Sequence, residues 1–326
     1  MFFAWACFVL SVLALLALDL GVFNRRTHVI GVKEALGWTF FWVFLALAFN
    51  AAVYFMYENC AFGFGGGRWG VTGGRQAVLQ YFAGYVIEKS LSVDNIFVIA
   101  LIFDYFSVPR RLQHRTLYWG ITGALLMRGA MIGGGLALLH MFEWVTYVFG
   151  AILFVSAVKL LLQEEKEIEP DRNPLVRLAR RFYPVASGYE EERFFTRLGG
   201  RRAITPLFLV LLVVESSDVM FAVDSIPAIF AVTRDPFIVF TSNVFAILGL
   251  RSLYFALAAI MNRFRYLRVS IVLLLAFVGV KMVLSHHYPI STGISLGVIC
   301  AILSAGVAAS LIATRGGAPP VEAAGG

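Results

Sequence analysis

Two nine-residue segments carry acidic side chains in the same order: Glu88-Lys-Ser-Leu-Ser-Val-Asp94-Asn95-Ile96 lies over Asp218-Val-Met-Phe-Ala-Val-Asp224-Ser225-Ile226. Glu88, Asp94, Asp218 and Asp224 offer carboxylate oxygens. Asn95 and Ser225, with Thr241 and Asn243 further along, offer amide and hydroxyl oxygens. An all-oxygen donor set suits hard or borderline divalent ions such as Mn²⁺, Mg²⁺ or Ca²⁺, and this chemistry does not choose among them. Thiolates or clustered imidazoles, which favour Zn²⁺ or Cu⁺, are missing from both motifs. The competing use of the acids is structural, as buried partners of basic side chains.

Those basic side chains repeat as well. Gly120-Ile-Thr-Gly-Ala-Leu-Leu-Met-Arg128 lies over Asn243-Val-Phe-Ala-Ile-Leu-Gly-Leu-Arg251, and Phe154-Val-Ser-Ala-Val-Lys159 lies over Ala276-Phe-Val-Gly-Val-Lys281. The offsets between counterparts are 130 residues for the acidic motif, 123 for the arginine and 122 for the lysine. Arg128, Lys159, Arg251 and Lys281 are therefore candidates for structural charge pairing with the acids. Which carboxylates they take is not legible from order alone.

Within each motif the two acids lie six residues apart, which leaves them about 120° apart around an ideal helix. A regular helix would not aim both at one ion. Pro227 removes an amide donor and crowds the carbonyl of Val223, so a kink or break is expected beside Asp224. A discontinuous helix there would expose backbone carbonyls next to a carboxylate, as cation transporters do. Glu215 is a further acid in the same stretch.

The elements that must position these residues lie in lipid. Of the 326 residues 60% are hydrophobic and 14% charged, and the mean hydropathy is +0.80, far from the balance of a water-soluble globule. Apolar stretches near the roughly 20 residues that cross a bilayer run over 2–20, 38–57, 78–103, 117–139, 144–162, 203–231, 236–261, 269–285 and 290–314. The expectation is an all-α polytopic transmembrane helix bundle of about nine spans, with an inverted repeat of three plus three helices. Residues 1–77 would supply two peripheral helices, 78–162 the first repeat, 163–202 a charged cytoplasmic linker and 203–285 the second repeat. Residues 286–326 would form a last helix and a disordered tail rich in Gly, Ala and Pro.

Basic residues set the orientation. Arg25, Arg26, Lys33, the loop of Arg110, Arg111 and Arg115, the linker, the loop of Arg263, Arg265 and Arg268, and Arg315 all fall on one side of a nine-span chain. Arg68, Arg75 and Arg234 fall on the other. The amino terminus is expected outside and the carboxyl terminus in the cytoplasm of a cell (inner) membrane. The net charge of +7 then reflects topology and attraction to anionic lipid, and no nucleic-acid partner is expected. The first span lacks a basic flank and a small-residue cleavage site, so it reads as an uncleaved helix. Cys7, Cys60 and Cys300 lack any CxxC spacing and read as small apolar side chains. The Gly63 to Gly67 run opens no strand-to-helix unit and is a loop, not a phosphate cradle. Gly133 to Gly135 reads as close helix packing, and His286-His287 as loop.

The two motifs, above all the run from Glu215-Ser-Ser-Asp218 through Asp224-Ser-Ile-Pro-Ala-Ile-Phe-Ala-Val-Thr-Arg-Asp-Pro to Arg251, resemble those of the TerC/Alx family of integral membrane proteins, part of the wider lysine-exporter superfamily. The resemblance covers nearly the whole chain. It implies manganese homeostasis, with Mn²⁺ exported from the cytosol, alongside labels of tellurium resistance and alkaline or redox response. It places Glu88, Asp94, Asn95, Asp218, Asp224 and Ser225 at the family's acidic motif positions. The expected function is a transporter exporting a divalent metal, most of all Mn²⁺, and not an enzyme. No tightly bound cofactor is expected, and Mn²⁺ enters as cargo. The alternatives are a membrane scaffold or stress-response protein whose linker recruits a cytoplasmic partner, and an amino-acid exporter. Oligomeric state is left open.

Overall fold

A computed structural model describes residues 1–21, 31–162, 173–190, 192–258, 267–285, 288 and 290–316. Five helices precede the linker: α1 (Phe2–Gly21), α2 (Val32–Glu58), α3 (Gly74–Tyr105), α4 (Arg110–Met141) and α5 (Val145–Leu162). Then come a short α6 (Pro174–Phe182) and the strands β1 (Phe195–Leu198) and β2 (Arg201–Ile204). The remainder is α7 (Pro206–Phe230), α8 (Pro236–Leu248), α9 (Leu250–Ala258), α10 (Leu267–Leu284) and α11 (Thr292–Gly316). The chain is a polytopic, nearly all-helical membrane protein.

Local sequence sets several helix starts. Proline occupies the first turn of α6, α7 and α8, where its missing amide costs nothing. Asn173 caps α6, accepting from the amides of Leu175 at 2.9 Å and Val176 at 3.4 Å. Asp235 caps α8 in the same way, at 2.9 Å from Phe237 N and 3.2 Å from Ile238 N.

Several expectations are revised. Among the described residues five helices are long and apolar enough to cross a membrane, namely α2, α4, α5, α7 and α11, or six if α8 and α9 form one bent span. The nine stretches expected to span fall on α1 to α5, α7, α8–α9, α10 and α11, and α3 misses that measure because it carries Glu88, Lys89 and Asp94 along its middle. The expected all-α chain contains a short antiparallel hairpin, in which Leu198 opposes Arg201 and Phe195 opposes Ile204. It takes Ala203 and Ile204 out of the apolar stretch expected over 203–231. The described part of the 163–202 linker is folded onto the bundle: Tyr189 Oη donates to Phe106 O at 2.7 Å, and Arg115 pairs with Glu192 at 2.9 Å. The loops of Arg25/Arg26 and Arg263/Arg265, His286-His287, residues 163–172 and the tail from 317 lie outside the described residues.

The expected break beside Asp224 is not there. α7 runs unbroken through Asp224 and Pro227 to Phe230. Pro227 lies three residues before the helix end, so the one ladder bond it removes, to Val223 O, does not interrupt the helix, which closes with Ala231 N to Pro227 O at 3.1 Å and Val232 N to Ile229 O at 2.8 Å. α3 is likewise continuous over its 32 residues. The bend falls elsewhere, a 41° break between α8 and α9 at Gly249.

α5 packs on α10, α3 on α7 and α8, α4 on α7 and α8, and α2 on α3 and α9. The α5–α10 crossing is built on glycine. A Cβ at Gly150 would lie 2.6 Å from Val283 Cγ2, and one at Gly279 would lie 3.1 Å from Gly150 O. Small residues of this kind let membrane helices approach closely. Of Gly133 to Gly135 only Gly135 serves such packing, against the Phe230 ring; Gly133 and Gly134 face open space. The Gly63–Gly67 loop is pinned by Phe64, whose ring centroid lies 4.6 Å from that of Phe237.

Candidate charge-lined site between the repeated helices

The repeated motifs sit on α3 and α7, which touch each other. Their acids sort into two groups, on different faces of these helices.

The first group surrounds Arg128 of α4, which is 2% exposed. Arg128 Nε donates to Asp218 Oδ2 at 3.1 Å and Nη2 to Asp218 Oδ1 at 2.8 Å, a bidentate fork. Its Nη1 donates to Glu88 Oε1 and, at 3.3 Å, to Ser225 Oγ. The second oxygen of Glu88 accepts from Asn243 Nδ2 of α8 at 3.0 Å. Glu88 is fully buried. Four helices thus meet at one arginine, which faces two carboxylates. Beside it a narrow, mostly apolar cleft is lined by Asn95, Gly120, Ser217, Asp218 and Phe221. Glu215 lies over Gly123 of α4, where a Cβ would come within 2.0 Å of Glu215 Oε1.

The second group is Asp94 of α3 and Asp224 of α7, neither of them held by Arg128. Asp94 is within electrostatic reach of Asp224 and of Arg268 at the start of α10. Asp224 accepts from Ser156 Oγ of α5 and lies within reach of Lys159. Arg268 is itself tied to α5, donating to Leu160 O at 2.9 Å.

Residues 73–318 match the profile of the integral membrane protein TerC family. The chain belongs to the TerC family. It is 50% identical to the uncharacterized membrane protein STKORF319 of Myxococcus xanthus, over 95% of this chain and 92% of that one. It is 45% identical, over 92% and 91%, to Alx of Escherichia coli K12, a protein named for membrane-bound redox modulation. A membrane protein of Rickettsia bellii is 37% identical over 95% and 97%. No solved structure matches the chain.

In this TerC family protein the six motif residues do not form one cluster. Glu88, Asp218 and Ser225 are committed to Arg128, Asn95 lines the adjoining cleft, and Asp94 and Asp224 face α5 and α10. Among the described residues no three His, Cys, Asp or Glu side chains come together as a metal-holding group. Of the four basic residues, Arg128 pairs with Glu88 and Asp218, and Lys159 stands by Asp224. Arg251 lies with Nη1 2.8 Å from His114 Nε2. Lys281, 7% exposed, makes no ion pair among the described residues. Thr241 turns its hydroxyl to Phe237 O of its own helix, at 2.6 Å.

Sequence reading passed over two contributors. Ser156 stands inside the lysine-bearing repeat segment but lacks a hydroxyl counterpart there, since Val278 occupies the matching place. Lys89 donates to Ala246 O at 3.1 Å, satisfying a carbonyl freed just before the α8–α9 break. Its neighbour Glu88 was the signal, yet the counterpart of Lys89 is Val219, so self-comparison hid it.

Proposed function

We propose that the chain is a secondary transporter that carries a divalent metal cation, Mn²⁺ by family resemblance, out of the cytosol between its two repeats. The observation that carries this reading is the division of labour among the buried acids. One pair is neutralised and locked by a guanidinium. The other pair, Asp94 and Asp224, is left with a hydroxyl and cations at a distance. A carboxylate inside a membrane span is costly and marks an ion or substrate path by default.

The donor types fit a hard divalent ion: two carboxylates, the Ser156 hydroxyl, and the carbonyl of Val223, which loses its helical donor to Pro227. Too few ligands gather for tight storage. That suits cargo, which must be held weakly enough to leave. Helix pairing supports an inverted repeat: if α3 corresponds to α7, and α4 to the α8–α9 pair, then the α3–α8 contact has its counterpart in the α7–α4 contact. α5 and α10, matching helices, pack on each other. Such a pair of bundles can rock about a shared site to give alternating access.

Uptake of Mn²⁺ by inverted vesicles, with lysine as the competing substrate, tests the reading. Metal-dependent uptake that Asp224→Asn abolishes, at unchanged membrane abundance, is expected. Uptake of lysine instead, or Mn²⁺ uptake indifferent to Asp224→Asn, overturns it.

A further inference from the structure

The linker helix α6 is bound to α7 through Val176, which is fully buried, and through Asn173 Nδ2, which donates to Ser216 Oγ at 2.6 Å. Ser216 lies about 15 Å along α7 from its start, and α7 is long and apolar enough to span. α6 is therefore attached by its start to the first half of a helix long and apolar enough to span.

At 100° per residue the nine residues of α6 divide into three strips. Val176 and Ala179 face inward. Leu175, Leu178 and Phe182 fall within about 60° of one another and are 41%, 52% and 69% exposed. Arg177, Arg180 and Arg181 occupy the remaining third of the circumference and are exposed. An uncovered apolar strip flanked by arginines is the pattern of a helix lying in the bilayer interface, its apolar side in the acyl boundary.

The adjoining hairpin supplies an independent observation. The chain leaving α6 pairs with the end of β2, through Ala186 N to Ile204 O and Ile204 N to Pro184 O, each at 2.9 Å. In the hairpin Arg197 stands directly opposite Arg202, a like-charge pair that is unfavourable by itself. Neither makes an ion pair among the described residues. An external anion would relieve this repulsion.

We propose that α6 and the β1–β2 hairpin form a binding site for anionic phospholipid, with Leu175, Leu178 and Phe182 in the acyl boundary and the arginines on headgroup phosphates. A soluble anion would satisfy the arginines but leave the apolar strip in water. A lipid satisfies both. The proposal stands independently of the transport reading.

The test uses the full chain with its three native cysteines replaced by serine, spin-labelled at Leu178→Cys and separately at Leu175→Cys. The protein is placed in vesicles of phosphatidylcholine with or without phosphatidylglycerol. In the anionic vesicles the labels are expected to be accessible to oxygen and shielded from an aqueous nickel chelate. The ratio of shielded to exposed label should fall about fivefold for each of Arg177 and Arg181 changed to Gln, and should fall in phosphatidylcholine alone. Labels open to the nickel chelate in anionic vesicles overturn the proposal, as would happen if the chain's own 164–171 acidic run capped the arginines. So do label-to-label dipolar broadening, which would put a second copy on the strip, and shielding indifferent to headgroup charge and to the arginines.

Discussion

Arg128 and the two acids it holds form a buried charge group whose members depend on one another. Removing one partner of a buried charged group leaves the other desolvated and unpaired, a cost of about 3–5 kcal/mol. Arg128→Met should therefore lower thermal stability in detergent by that order, and adding Glu88→Gln to it should recover part of the loss. A small effect of Arg128→Met would mean that water reaches Glu88. Asp94 and Asp224 should behave the other way. Each lies only partly buried and is not locked by a guanidinium, so Asp94→Asn and Asp224→Asn are expected to spare the melting temperature and remove Mn²⁺ uptake. A variant with wild-type uptake would take that residue off the path.

Among the elements, α5 and α10 depend on the absence of side chains where they cross. A valine at Gly150 would run into Val283 and approach Gly279 O, so the helices must separate, at about 1–3 kcal/mol by the usual cost of overpacking. Gly133→Val, on α4 with open space beside its Cβ position, serves as the control and should leave the melting temperature unchanged. Equal effects would place the sensitivity in intrinsic helix propensity and not in the crossing. The glycine at the α8–α9 break is different in kind. Its hydrogen faces Trp42 and Lys89, with a Cβ there 3.0 Å from each, so the bend is held by α2 and α3 and is not a loose hinge.

For the whole molecule, the direction in which the bundle faces is tested at its carboxyl terminus. The basic loops predict a cytoplasmic carboxyl terminus, and the α6 proposal sets α6 and the hairpin on that side, where anionic lipid concentrates. A fluorescent protein fused after residue 326 should fluoresce, and alkaline phosphatase fused there should be inactive. The reverse result would invert the topology. Much of this level was readable early: the membrane class and the repeated acid, arginine and lysine follow from composition and short-range pattern. The folded linker was not, because its anchors on Phe106 and Arg115 reach 83 and 77 residues away.

Sequence by itself determined that the acids lie in apolar helices and that the two within a motif must diverge, since both facts follow from residue type and the 100° turn per residue. Tertiary structure alone decided their partners. Arg128 lies 40 residues from Glu88 and 90 from Asp218, and only the crossing of α3, α4 and α7 makes it their shared cation. The same crossing leaves Asp94 and Asp224 to each other, so the carboxylates paired by sequence within each motif are paired in space between motifs.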